Sequence, residues 1–349
     1  MGLLEYRPPL FESLPATAVG NAYRKIGMDA RYLSQTWNET LTDSLIQLSR
    51  SRGLSAEAAD AITKKMNTSA GVVGGAIIVG IAETDGYRPN LEQRRELLRE
   101  GSWYLLTSRI VDDYMDDEQG PDITHRHNVI HDACQGKTPA EYVTPLEEGS
   151  VILVQDCMKR YNKSDFPETM TALVDGYGRQ MNYRASGTIA TPETIDQETD
   201  DFMDVNARLY AKSFYDVLAA KVRPVHRLTK EAYEHLIEGI VWFDQIVDAQ
   251  SDLESGDYNV LVRAAQAAGC TTHEDILAHA QQHRLEYRHR VDTHVEQGFA
   301  TLAFSRKATP DNLATYTAVS RALKMKYVLE GDHPRLYNGL KRAKNMLHR

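Results

Sequence analysis

Asp112, Asp113, Asp116 and Asp117 lie within six residues of one another. On a helix Asp112 and Asp116 share one face, and Asp113 and Asp117 share another about 100° away. Four carboxylates at the end of a helix repel one another, and the negative end of the helix dipole adds to the cost. A cation removes that cost. Oxygen donors of this kind suit a hard divalent ion, and Mg²⁺ favours one or two carboxylates together with substrate phosphate.

A second cluster comes later in the chain. Asp244, Asp248 and Asp252 are spaced four apart, so a helix places all three on one stripe. The preceding run from Ala232 to Phe243 is largely apolar, which predicts a helix packed inside the protein. Three acids on a packed helix need cations beside them. If the two acidic helices face each other, their carboxylates can hold metal ions against a diphosphate from both sides. Taken singly, either cluster could be a solvated acidic face.

Other candidate chemistry is weaker. His125, His127 and His131 crowd one stretch, and His127 and His131 have the spacing of a shared Zn²⁺ site. The stretch reads more simply as a polar loop. Glu286 and His289 form an ExxH pair on a predicted helix, while Glu330 and His333 fall in a turn marked by Gly331 and Pro334. A di-iron bundle needs two such pairs on helices, plus two further glutamates. A non-catalytic helical binding protein would leave both aspartate clusters idle.

The bulk composition agrees with a folded acidic protein. The chain has 349 residues, 42% of them hydrophobic, and a formal net charge of −9. That charge speaks against nucleic acid as a partner. Cys134, Cys157 and Cys270 are too few and too scattered for a disulfide framework or a CxxC metal pair. The first 15 residues lack a basic segment followed by an apolar core, so no signal peptide is expected, and a cytoplasmic location is the expectation. The most apolar run, Gly71 to Ala82, has roughly half the ~20 residues needed to span a bilayer, so stable membrane insertion is not expected. It reads as a buried helix in which Gly71, Gly74 and Gly75 admit a close neighbour.

Apolar residues recur at three- and four-residue intervals along the chain, and no long stretch alternates as a half-buried strand does. Turn-type clusters divide it into predicted helices at 17–51, 55–66, 69–84, 91–117, 147–161, 165–189, 197–222, 229–254, 272–304, 309–329 and 333–347. Thr229 reads as one helix start. Thr309, Pro310 and Asp311 read as another: a capping hydroxyl, a proline at the first position and an early acid. With no flexible linker and no repeat, the expectation is a single all-α domain over 1–349, with a homodimer left open.

Asp112-Asp113-Tyr114-Met115-Asp116 together with the later aspartate helix resembles the class I terpenoid synthase superfamily: terpene synthases, trans-prenyl diphosphate synthases and squalene or phytoene synthases. The likeness covers roughly residues 91–330, and its specific parts are the two motifs. It implies an all-α helical bundle around a central apolar cavity, with the acidic helices on opposite walls of its mouth. It implies three Mg²⁺ ions, two on Asp112, Asp113 and Asp116 with Asp117 beside them, and one on Asp244, Asp248 and Asp252. The substrate implied is a prenyl diphosphate, whose ionisation leaves an allylic cation. Basic residues should answer the diphosphate. Arg109 lies one turn before the first motif. Arg184 resembles the diphosphate-sensing arginine of cyclases, Arg208 and Lys212 resemble the lysine helix of prenyltransferases, and Lys326 with Tyr327 resembles a cyclase Arg-Tyr pair. Small residues Thr107 and Ser108 imply room for a long chain, and Trp103, Tyr104, Trp242 and Phe243 are candidates for the cavity wall.

The chain also departs from these patterns. Gly74-Gly75 is followed by apolar residues where chain-elongating synthases carry GGKxxRP, and no arginine pair follows Asp117. A single-substrate terpene synthase needs neither, so that reading leads. Against it, the second motif is aspartate at all three positions, and the interval from Arg184 to Asp244 is longer than cyclases usually show. Head-to-head prenyl transfer and chain elongation stay open.

Overall fold

The computed structural model describes residues 14–65, 68–116, 120–185, 190–305 and 308–331, with side chains from 14–65, 71–116, 120–180, 190–305 and 308–323. The architecture is all-α, and there is no strand among the described residues. In chain order the helices are α1 (Ala16–Arg52), α2 (Ala56–Lys65), α3 (Thr68–Thr84), α4 (Leu91–Met115), α5 (Ile123–Cys134), α6 (Pro145–Arg160) and α7 (Phe166–Ala185). Next come α8 (Ile195–Met203), a π-helical turn (Asp204–Leu209), α9 (Tyr210–Lys221), α10 (Arg227–Ser255), α11 (Val260–Ala267), α12 (His273–Ala303) and α13 (Pro310–Gly331). None of the described helices is long and apolar enough to cross a membrane.

The helix starts follow local chemistry. Asn90 and Gln93 exchange side-chain and backbone hydrogen bonds at 2.9 and 3.0 Å, a capping box that opens α4. Thr144 caps α6 ahead of Pro145, and Thr272 caps α12. Thr309 accepts the Asn312 amide at 3.3 Å and Pro310 begins α13, as expected from the sequence. Gly53 and Gly256, at φ 75° and 77°, end α1 and α10 in the left-handed conformation.

Three expectations are corrected. The histidine stretch is not a loop but α5, because Asp122 accepts the His125 amide at 3.0 Å and starts a helix there. The predicted helix over 197–222 is interrupted by the π turn, where Val205 packs so tightly on Gly176 that a Cβ at Gly176 would overlap it. Thr229 does not start α10. His226 precedes Arg227 instead, and the buried Thr229 hydroxyl donates to Asp85 at 2.9 Å. The short α11 lies outside the predicted helices, and the predicted helix over 333–347 falls outside the described residues.

α3, the apolar run, is buried among α1, α4 and α13, with Ile78 fully buried. α4 then packs on α3 and α6, and α10 packs along α12. A buried ion network ties α1, α3 and α4 together: Arg94 binds Asp29 at 2.6 Å and Glu83 at 2.6 Å. This core holds α4 and α10, the two helices that carry the aspartates.

Candidate active site

The two acidic helices meet at one cavity of about 520 Å³. Asp112 and Asp116 from α4 line it, as do Asp244, Asp248 and Asp252 from α10. Val73, Ile77, Leu105, Ile237, Val241 and Leu323 give it apolar walls, with Ser108, Gln180, Asn206 and Gln245 between them. Polar mouth and greasy interior therefore come from the same helices: Ile237 and Val241 precede Asp244 by two turns and one turn.

Charge crosses the gap. Burial and Asp116 together push the Asp112 carboxyl up to about 7, with Asp257 adding to the effect and Arg109 opposing it. Burial pushes Asp252 up to about 6, with Asp248, Asp257 and Asp116 contributing and an Asn259 hydrogen bond working against them. Asp116 on α4 thus acts on Asp252 on α10. Arg109 feels both sides as well: burial lowers its affinity for the proton, but Asp112, Asp113, Asp116 and Asp244 outweigh that.

The side chains of the first motif divide. Asp112 and Asp116 face the cavity, whereas Asp113 is not in its lining and pairs with Arg109 at 3.3 Å. Arg109 also reaches Asp112 at 3.1 Å and itself lines the cavity. Asp117 lies outside the described residues, and so do the side chains of Arg184, Lys326 and Tyr327.

Arg208 and Lys212 are not brought to the cavity. Arg208, in the π turn, binds Glu238 at 3.2 Å. Lys212 binds Asp216 at 2.8 Å and Thr169 at 2.5 Å. Each helical turn that presents Tyr210 and Asn206 to the cavity carries these two cations away from it. The expected aromatic wall is also replaced. Trp103 donates to Asp156 at 3.1 Å, Tyr104 bonds Ser213, and Trp242 stacks on Tyr287. Phe243 is buried in the core beside them. Tyr177, Phe202, Tyr210 and Tyr258 line the cavity instead. Of the two small residues, Ser108 lines it, while Thr107 is buried against Cys157 at 3.3 Å.

Several site residues were missed in the sequence. Asp257 joins the carboxylates because Gly256 turns the chain back, and its amide binds the Asp252 carbonyl at 2.8 Å. Asn259, fully buried, donates to Asp252 at 2.8 Å while its carbonyl oxygen accepts the Leu261 and Val262 amides. An asparagine soon after a glycine-ended acidic helix is the signal that could have found Asn259. Tyr177 and Tyr210 carry no such signal.

The other clusters do different work. His127 and His131 approach Asp175 at 3.5 and 3.7 Å, and His125 binds the buried Glu147 at 3.0 Å. Glu286 pairs with His283 at 3.3 Å and Arg290 at 3.2 Å on the surface of α12.

No protein-family model matches the chain, and no curated protein does. Solved structures do. One is 2-methylisoborneol synthase from Streptomyces coelicolor A3(2) in complex with Mg²⁺ and 2-fluoroneryl diphosphate, at 15% identity over 93% of this chain and 94% of that one, with a TM-score of 0.52. The same synthase with Mg²⁺ and geranyl-S-thiolodiphosphate matches at 14% identity over 95% and 96% of the two chains, TM-score 0.51. Linalool/nerolidol synthase from Streptomyces clavuligerus matches at 11% identity over 84% and 96%, TM-score 0.51. The chain has a class I terpenoid synthase-like fold.

Proposed function

We propose that this chain is a class I terpene synthase, folded as one helical domain, that uses Mg²⁺ to ionise a linear prenyl diphosphate. Diphosphate is lost, and the carbocation cyclises or rearranges. The observation that carries this reading is the convergence of Asp112 and Asp116 with Asp244, Asp248 and Asp252 on one cavity that also has apolar walls. The similar folds support it, since two of them were solved with Mg²⁺ and prenyl diphosphate analogues.

The donor set fits Mg²⁺. Asp116 raises the proton affinity of both Asp112 and Asp252, and a hard cation among these carboxylates relieves that repulsion. Asp112 and Asp116 would hold ions on one wall, with Asp113 and Asp117 supporting them, and Asp244, Asp248 and Asp252 would hold one on the other. When bound, the ions supply Lewis-acid stabilisation of the departing diphosphate. Arg109 stands where it adds positive charge to that leaving group. Arg184, Lys326 and Tyr327 are assigned to the diphosphate by resemblance. The apolar walls exclude water from the cation, and the rings of Tyr177 and Tyr210 offer π faces to it.

The test is incubation with Mg²⁺ and C10 to C25 prenyl diphosphates, singly and with isopentenyl diphosphate. Released diphosphate and extracted products are the readouts. A hydrocarbon or alcohol from one substrate alone is expected. A longer diphosphate, or a C30 or C40 hydrocarbon, would make the chain a prenyltransferase. No turnover with any of them would sink the reading.

A further inference from the structure

Away from the aspartates, α10 and α12 bring two imidazoles onto one carboxylate. His235 and Glu238 are three apart on α10 and share a face. His294 comes from α12. Its Nδ1 lies 3.1 Å from Glu238 Oε2, and the Nδ1 of His235 lies 3.5 Å from the same oxygen. The three ligand atoms all lie within 4.8 Å of one another. We propose that His235, Glu238 and His294 form a transition-metal site of the Zn²⁺ class that clamps α10 to α12, separate from the carboxylate cavity.

Three observations carry it. First, an ion with tetrahedral bonds of about 2.0–2.1 Å holds its donor atoms about 3.3–3.4 Å apart, and the two nitrogen–oxygen distances bracket that value. Second, both Nδ1 atoms are buried, and the polar group that each faces is the same Glu238 oxygen. A metal ion satisfies both nitrogens and the oxygen at once. Third, the approach is built into the packing. A Cβ at Gly239 would stand 3.2 Å from the Val291 carbonyl oxygen and 3.4 Å from His294 Cβ, so α12 passes close over Gly239 with His294 beside it.

The charge around the site divides between the two carboxylate oxygens. Arg208 takes Oε1 at 3.2 Å, leaving Oε2 to the histidines. Arg208 also lies 3.6 Å from Asp204, and Glu234 stands one turn before Glu238. Two imidazoles and one carboxylate select Zn²⁺ over Mg²⁺, which prefers oxygen throughout. The histidine side chains are 35% and 24% exposed, while their Nδ1 atoms face inward to Glu238.

The experiment uses the full chain stripped with a chelator, then titrated with Zn²⁺ alone. Bound metal is counted by elemental analysis, and Co²⁺ substitution reports coordination through its visible absorption. One Zn²⁺ per chain outside the carboxylate cavity is expected, with a four-coordinate Co²⁺ spectrum and a raised Tm. His294→Ala, and separately His235→Asn, should weaken Zn²⁺ by more than the ~10–100-fold that loss of a supporting partner costs. Circular dichroism of the metal-free variants checks that both remain helical. Asp112→Asn with Asp248→Asn should leave this ion in place. Equal Zn²⁺ binding by the wild type and both histidine variants would overturn the proposal. So would Zn²⁺ that is lost with the aspartates but kept without the histidines.

Discussion

Gly74 and Gly101 bring α3 and α4 into backbone contact, since a Cβ at either would overlap the carbonyl oxygen of the other. Gly75 extends the seam, its Cβ position lying 2.9 Å from the Leu98 carbonyl oxygen. The same α4 delivers Asp112 and Asp116 eleven and fifteen residues further on. Gly101→Ala should therefore cost about 1–3 kcal/mol or more through overpacking, because backbone cannot move aside as a flexible side chain can. Chemical unfolding measures it. Stability unchanged within ~0.5 kcal/mol would show that the two helices separate easily.

The raised carboxyls predict how stability depends on pH without metal. Burial and neighbouring aspartates lift Asp112 to about 7 and Asp252 to about 6, against 3.8 for a free side chain. The folded chain then holds these protons more tightly than the unfolded chain does. Their contribution is fully present below about pH 4 and is lost as pH rises through 6 and 7. In chelator, unfolding free energy should fall over that window. Asp112→Asn should flatten the fall, and Mg²⁺ with diphosphate should offset it. A metal-free protein equally stable at pH 5 and pH 8 would contradict the geometry of the cavity mouth.

Within the first motif the two neighbouring aspartates should not be equivalent. Asp112 lines the cavity, whereas Asp113 reaches Arg109 instead. We expect Asp112→Asn to lower kcat by about 10²-fold or more, the scale of losing a group that stabilises transition-state charge. Asp113→Asn should act mainly through Arg109, with a smaller loss. Steady-state kinetics at saturating Mg²⁺ compares them, and a larger loss at Asp113 would reverse the assignment.

Asn259 joins helix capping to the carboxylates of α10. Its carbonyl oxygen accepts two amides of α11, and its nitrogen donates to Asp252 at 2.8 Å and to the Gln245 carbonyl at 3.0 Å. Asn259→Ala should cost about 1–2 kcal/mol as a lost cap and should raise the Mg²⁺ concentration needed for half-maximal activity. Stability that falls while the Mg²⁺ requirement stays constant would confine Asn259 to capping.

The cysteines offer an inexpensive check on packing. Burial pushes the Cys134 and Cys157 thiols up to about 12, whereas Cys270 is partly exposed. A thiol reagent at pH 7–8 should modify Cys270 in the native protein and reach the other two only on unfolding. Rapid labelling of Cys157 would mean that α4 and α6 do not pack as described.

What could be read from residue order was whatever repeats at short range. The three- and four-residue apolar period identifies the helices, the glycines of Gly71 to Ala82 announce a close neighbour, and four-residue aspartate spacing puts acids on common faces. These are properties of a single helix, and they survive whatever the rest of the chain does. Other features depend on which faces meet. Asp113 and Asp112 are adjacent in sequence and diverge in space because the cavity lies on one side of α4. Lys212 resembles a substrate lysine until Asp216 and Thr169 are seen to hold it. Tyr177, Tyr210 and Asp257 reach the cavity by packing and by a turn at Gly256, with no motif to mark them. His235, Glu238 and His294 come together only where α10 packs along α12. Contact between residues far apart in the chain is settled by the packing of the whole core, and a one-dimensional pattern does not record it.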